Sequence, residues 1–80
     1  MTDTKTHRLT MHNDNVHTFS YITACIIKFC KHDPLQAEQC VMIAHNTGQC
    51  DIKLGNYLDI VELQLNFDRT NIKTEVNNVN

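Results

Sequence analysis

The polar run His12-Asn13-Asp14-Asn15 separates two segments of different period, and that switch constrains the fold more than any other feature of the chain. Before it, Leu9 and Met11 alternate with Arg8, Thr10 and His12, the two-residue period of a half-buried strand beginning at His7. The stretch Asn13 to His17 is rich in residues that favour turns and breaks the strand. Thr18 is then positioned to cap a helix. Phe19, Ile22, Cys25, Ile26 and Phe29 recur at helical spacing, with Lys28 and Lys31 near the negative end of its dipole.

Similar punctuation divides the rest of the chain. Asp33-Pro34 is a helix start, with Asp as N-cap and Pro at the first helical position. Ala37, Cys40, Val41 and Ala44 form one stripe of the second helix, and Gly48 stops it. Cys50, Ile52 and Leu54 alternate with Asp51 and Lys53 in a second strand ended by Gly55. Asn56 is the expected cap of a third helix, Tyr57 to about Asp68, with apolar positions Val61 and Leu65 flanked by Leu58 and Phe67. Ile72, Thr74 and Val76 alternate with Lys73 and Glu75 in a last strand. Met1 to Thr6 are expected to fray, and Asn77 to Asn80 to be disordered. The β-α-α-β-α-β order predicts an α+β fold in two layers, a three-stranded sheet packed by three helices. Residues 1–80 form one domain on this reading, with a core of about 8–76.

Composition excludes several functions. A net charge of −2, with scattered Lys and Arg, gives no electrostatic footing for nucleic acid. No apolar run reaches the length of a membrane span, and the polar start is unlike a signal peptide, so a soluble cytoplasmic protein is expected. Cys25, Cys30, Cys40 and Cys50 sit among apolar neighbours in helices and strands, where reduced core cysteines are expected. The shortest cysteine spacing is Cys25 to Cys30, and no local Cys or His pair has the spacing of a zinc site, so no metal or other cofactor is expected. Cys40 and His45 lie on different faces of their helix, out of reach for a catalytic dyad. No glycine-rich loop or nucleophile elbow is present, so the chain reads as a binding module and not an enzyme.

The chemistry of such a module is written at the strand-to-helix corner. An Asn carbonyl, an Asp carboxylate and an imidazole together accept the hydrogen bonds that an ammonium group donates. Asn13 and Asp14 supply the first two, and His45, ending the second helix just before Gly48, supplies the third. Each also has a plainer use. Asn and Asp suit any tight corner, and a histidine near a helix C-terminus is favoured by the dipole.

The motif Thr10-Met11-His12-Asn13-Asp14-Asn15 and the helix Cys40-Val41-Met42-Ile43-Ala44-His45-Asn46-Thr47-Gly48 resemble those of the ClpS family. ClpS proteins are adaptors of the ATP-dependent Clp proteases and bacterial readers of N-degrons. The β-α-α-β-α-β order over residues 8 to 76 carries the likeness across nearly the whole chain. The resemblance implies that Asn13, Asp14 and His45 surround the α-ammonium of a substrate's first residue. It further implies a hydrophobic pocket lined by His17, Phe19, Ile22, Val41, Ala44 and Ile72. Its implied partners are N-degron substrate proteins and the N-terminal domain of a Clp ATPase, engaged by a monomeric adaptor. Asn15 stands where the family commonly has a second Asp, and His17 and Phe19 where a small polar residue and Met are common. The alternative is a structural or regulatory protein-interaction domain resembling the C-terminal domain of the ribosomal stalk protein. The basic factor-binding helix of that domain has no clear counterpart here.

Overall fold

A computed structural model describes residues 5–79. The elements run β1 (His7–His12), α1 (Phe19–Cys30), α2 (Pro34–Thr47), β2 (Gln49–Gly55), α3 (Tyr57–Asp68) and β3 (Thr74–Asn78). Each helix begins at the cap its sequence encodes. Thr18 accepts the Tyr21 amide, Asp33 the Gln36 amide and Asn56 the Asp59 amide, each satisfying a first-turn N–H that has no partner within the helix. At the far end of α2, Gly48 takes a left-handed φ of 99°, and its N–H reaches the Ala44 carbonyl at 2.8 Å.

The sheet is antiparallel with order β2-β1-β3, so β1 is central. Leu9 and Met11 point into a core shared with Ile22 and Ile26 of α1, Ala37, Val41 and Ala44 of α2, and Ile60 and Phe67 of α3. The small residues of the α2 stripe let that helix lie close to its neighbours. Thr10 faces the opposite side, where its hydroxyl donates to Asp51 at 2.7 Å and the residue is covered.

Several expectations change. The alternation of β2 is broken by a bulge: Leu9 pairs with Lys53 but Thr10 pairs with Asp51, leaving Ile52 as an extra residue. The bulge shifts the parity of the strand's end, so Leu54 lies opposite Arg8 and is 45% exposed, contrary to the simple alternation. Lys53 instead turns toward α1, where its ammonium donates to the Cys30 carbonyl at 3.3 Å, at the negative end of the helix. In α3 the buried residues are Ile60 and Phe67, not Val61 and Leu65; Leu58 and Leu65 face outward. Phe67 decides the face, because it is fully buried and meets Phe29 edge to face at 5.1 Å.

The last strand starts at Thr74, and Ile72 precedes it, in a turn where its N–H bonds the Phe67 carbonyl and Asn71 is left-handed. At the C-terminal end, Asn77 and Asn78 pair with Arg8 and His7, and the Val79 N–H bonds the Thr6 carbonyl. They form sheet where disorder is expected from their composition, because central β1 offers its free edge to them. Thr6 is likewise tied to Gly55. The expected fraying of Met1 to Thr4 and disorder of Asn80 lie outside the described residues.

Candidate functional site

Where β1 ends, the chain turns over the C-terminus of α2. The Asn13 N–H donates to the Gly48 carbonyl at 2.9 Å, so the left-handed turn that stops α2 also anchors the corner. One backbone bond thereby brings the last turn of α2, with His45, beside Asn13 and Asp14.

Asp14 organises the loop that follows. Its Oδ1 accepts the Val16 amide at 2.7 Å and the His17 amide at 2.8 Å, and its Oδ2 accepts His17 Nδ1 at 2.6 Å. An ionised carboxylate only accepts, so the ring proton lies on Nδ1. The Asp14 side chain is 8% exposed. Burial works against its charge, but hydrogen bonds from the His17 amide, the His17 ring and the Val16 amide outweigh it and hold the carboxyl below its ordinary range. A carboxylate has about four acceptor sites. With these bonds made, Oδ2 retains one for a ligand. The His17 ring, fixed by Asp14, stacks on Tyr21 at 5.1 Å. Asn13 donates weakly to Asn15 Oδ1 at 3.4 Å, which orients its amide, and its side-chain oxygen meets no donor among the described residues.

A cavity of about 510 Å³ opens at this corner, between the loop, the start of α1 and the end of α2. That volume is within the range of small-ligand sites. Asn13, Asp14, His17 and His45 are polar lining residues drawn from the loop and the end of α2. Phe19 and Ile22 from α1 and Val41 and Ala44 from α2 form its apolar part. Ile72 does not line it: the residue is 1% exposed and sits in the core below the α3–β3 turn.

Four further residues contribute, Met11, His12, Asn15 and Met42. Met11 was legible in principle, since strand alternation turns it toward the helices at the end of β1. Met42 lies off the buried stripe of α2 and is 47% exposed, so only the placement of α2 reveals that it borders a cavity. His12 is held from the other side by Glu75 of β3, at 3.0 Å.

Among the described residues, no group of three His, Cys, Asp or Glu side chains is placed to hold a metal ion. The cysteines are free, and burial pushes the thiols of Cys30 and Cys50 up to about 12, the neighbouring Cys40 adding to the shift at both. Such thiols stay protonated and act as core side chains. No helix is long and apolar enough to cross a membrane, among the described residues.

The sheet, the single helical layer and the side-chain-sized cavity at the strand–helix corner define a class: small two-layer α+β domains with a site beside the central strand. The sequence model of the family described as "ATP-dependent Clp protease adaptor protein ClpS" matches residues 2–75, and the chain belongs to that family. Its members are adaptors, not enzymes. The solved structure of Agrobacterium tumefaciens ClpS2 bound to L-phenylalaninamide has the same fold, with a TM-score of 0.80 over 94% of this chain and 98% of that one. Sequence identity to it is 11%. No curated protein sequence matches the chain significantly.

Proposed function

We propose that the chain binds the free N-terminus of proteins that begin with a bulky apolar residue and presents them to the N-terminal domain of a Clp ATPase. The observation that carries this reading is that one cavity joins Asn13, Asp14 and His45 to an apolar lining of Phe19, Ile22, Val41 and Ala44. An unblocked N-terminus places three N–H donors and a positive charge on one atom, next to a side chain. The free acceptor site of Asp14, the Asn13 carbonyl and a ring nitrogen of His45 match those donors. Acetylation removes both the charge and two donors.

Magnitudes support selectivity for both features at once. Leaving a buried polar group unpaired costs about 1–3 kcal/mol. Burying a Leu or Phe side chain contributes about 1.5–3 kcal/mol. The A. tumefaciens protein's ligand, L-phenylalaninamide, has the same pair of features, a free α-amino group and a bulky apolar side chain. Family membership supports the delivery step.

The test is fluorescence anisotropy with matched peptides beginning Leu, acetyl-Leu and Gly. Free Leu alone is expected to bind, and His45→Ala is expected to weaken it at least tenfold without lowering the melting temperature. Equal binding of Leu and acetyl-Leu, or of Leu and Gly, would remove the N-terminus reading. A loss of stability in His45→Ala with binding unchanged would assign the histidine to the helix end.

A further inference from the structure

A second, shallower groove of about 190 Å³ lies on the opposite side of the same corner. It shares Asn13, Asp14 and Asn15 with the main cavity, but its other walls are Val16 and the α3–β3 connection, through Asn71 and Lys73. We infer that this groove is a subsite for the second residue of a bound N-terminus and that Lys73 makes it favour an acidic side chain there. The inference rests on the reading of the main cavity as an N-terminus site.

The geometry follows from an extended chain. When the first side chain fills the main cavity and its ammonium meets Asn13 and Asp14, the next Cα lies about 3.8 Å away. In extended backbone the second side chain points away from the first. Asn13, Asp14 and Asn15 border both depressions, so a bound backbone that lies along this loop places its second side chain on the groove side.

Charge decides the preference. Lys73 is exposed, and its ammonium meets no carboxylate within ion-pair distance among the described residues. Its backbone is fixed, because its carbonyl accepts the His12 N–H at the end of β1. The two carboxylates nearby are already engaged, Asp14 by the His17 ring and two amides, Glu75 by His12. A bound α-ammonium further offsets the charge of Asp14. Asn15 adds no charge to the loop. Val16, 89% exposed, offers an apolar wall for the methylenes of a glutamate.

The experiment compares otherwise identical peptides beginning Leu-Glu, Leu-Gln and Leu-Lys by anisotropy, with the wild type and Lys73→Met, in low and high salt. Leu-Glu is expected to bind the wild type about two- to fivefold more tightly than Leu-Gln, the range of a solvent-exposed ion pair. Leu-Lys is expected to bind more weakly than either. The advantage of Glu shrinks as salt screens the pair, and Lys73→Met removes it. Tight binding of Leu-Gln with no advantage for Leu-Glu would overturn the subsite and leave the N-terminus reading standing. Persistence of the advantage in Lys73→Met would overturn the role of Lys73. Failure of every peptide to bind would remove the N-terminus reading and the subsite with it.

Discussion

Asp14 serves two purposes with one carboxylate, which changes what its mutation tests. Three of its acceptor sites hold the loop and the His17 ring, and only what remains faces a ligand. Asp14→Ala therefore removes loop structure along with an ammonium partner, and lost binding in that variant does not isolate contact with the ligand. Asp14→Asn is more informative, since the amide oxygen can still accept from the backbone. Because the folded-state carboxyl is held below its ordinary value of 3.8, it contributes stability that is present above that pH and is lost as pH falls through the folded value. In a melting-temperature series from pH 7 down to pH 2, the wild type should lose more stability than Asp14→Asn. Parallel acid limbs would show that the His17 and amide bonds do not favour the charged form.

Helix ends and strand edges are the scale at which the corner is assembled. Gly48 stops α2, returns its N–H to Ala44 and accepts the Asn13 amide, all from a left-handed conformation. A Cβ there would meet nothing within 4 Å, so the cost of Gly48→Ala is one of backbone conformation alone. That cost is about 1–2 kcal/mol, readable as a lowered urea midpoint. Gly55→Ala is the contrast. Its Cβ would lie 3.5 Å from Ile60 Cδ1, ordinary contact, and its φ lies outside the left-handed region. A change within about 0.5 kcal/mol is expected for it. Equal effects of the two substitutions would mean that the cap geometry of α2 contributes nothing to stability.

Across the whole molecule, a small core makes a few large side chains decisive. For a chain of 80 residues, total stability is about 4–12 kcal/mol. Phe67, fully buried against Phe29, should lose about 3–5 kcal/mol on truncation to Ala. Leu65, 54% exposed on the same helix, should lose no more than about 0.5 kcal/mol. Equilibrium denaturation of the two variants decides which stripe of α3 faces the sheet. A larger loss for Leu65→Ala would reverse that assignment. Phe67→Ala is also expected to broaden the transition, since α3 packs on both β1 and β3.

Element order, strand and helix types and all three N-caps were legible in the sequence. Thr18, Asp33 with Pro34, Gly48 and Asn56 each act on backbone groups within four residues, so neighbouring side chains determine them wherever the segment lies in space. Most of the cavity lining was reached only through the resemblance to the ClpS family, because the residues by themselves mark Phe19, Ile22 and Val41 as core-facing and do not reveal a cavity. Ile72, implied with them, is not in the lining, because a left-handed Asn71 delays the start of β3 and turns that side chain into the core. Tertiary structure alone decided the Ile52 bulge, the face of α3 and the pairing of Asn77 and Asn78. In α3, two apolar stripes compete on one helix, and the outcome depends on Phe29, far away in the chain. The bulge depends on which residues of β1 lie across from β2, and the last strand on an edge of β1 that is open to it. These are choices between burials and pairings made with distant partners, and local sequence has no means of ranking them.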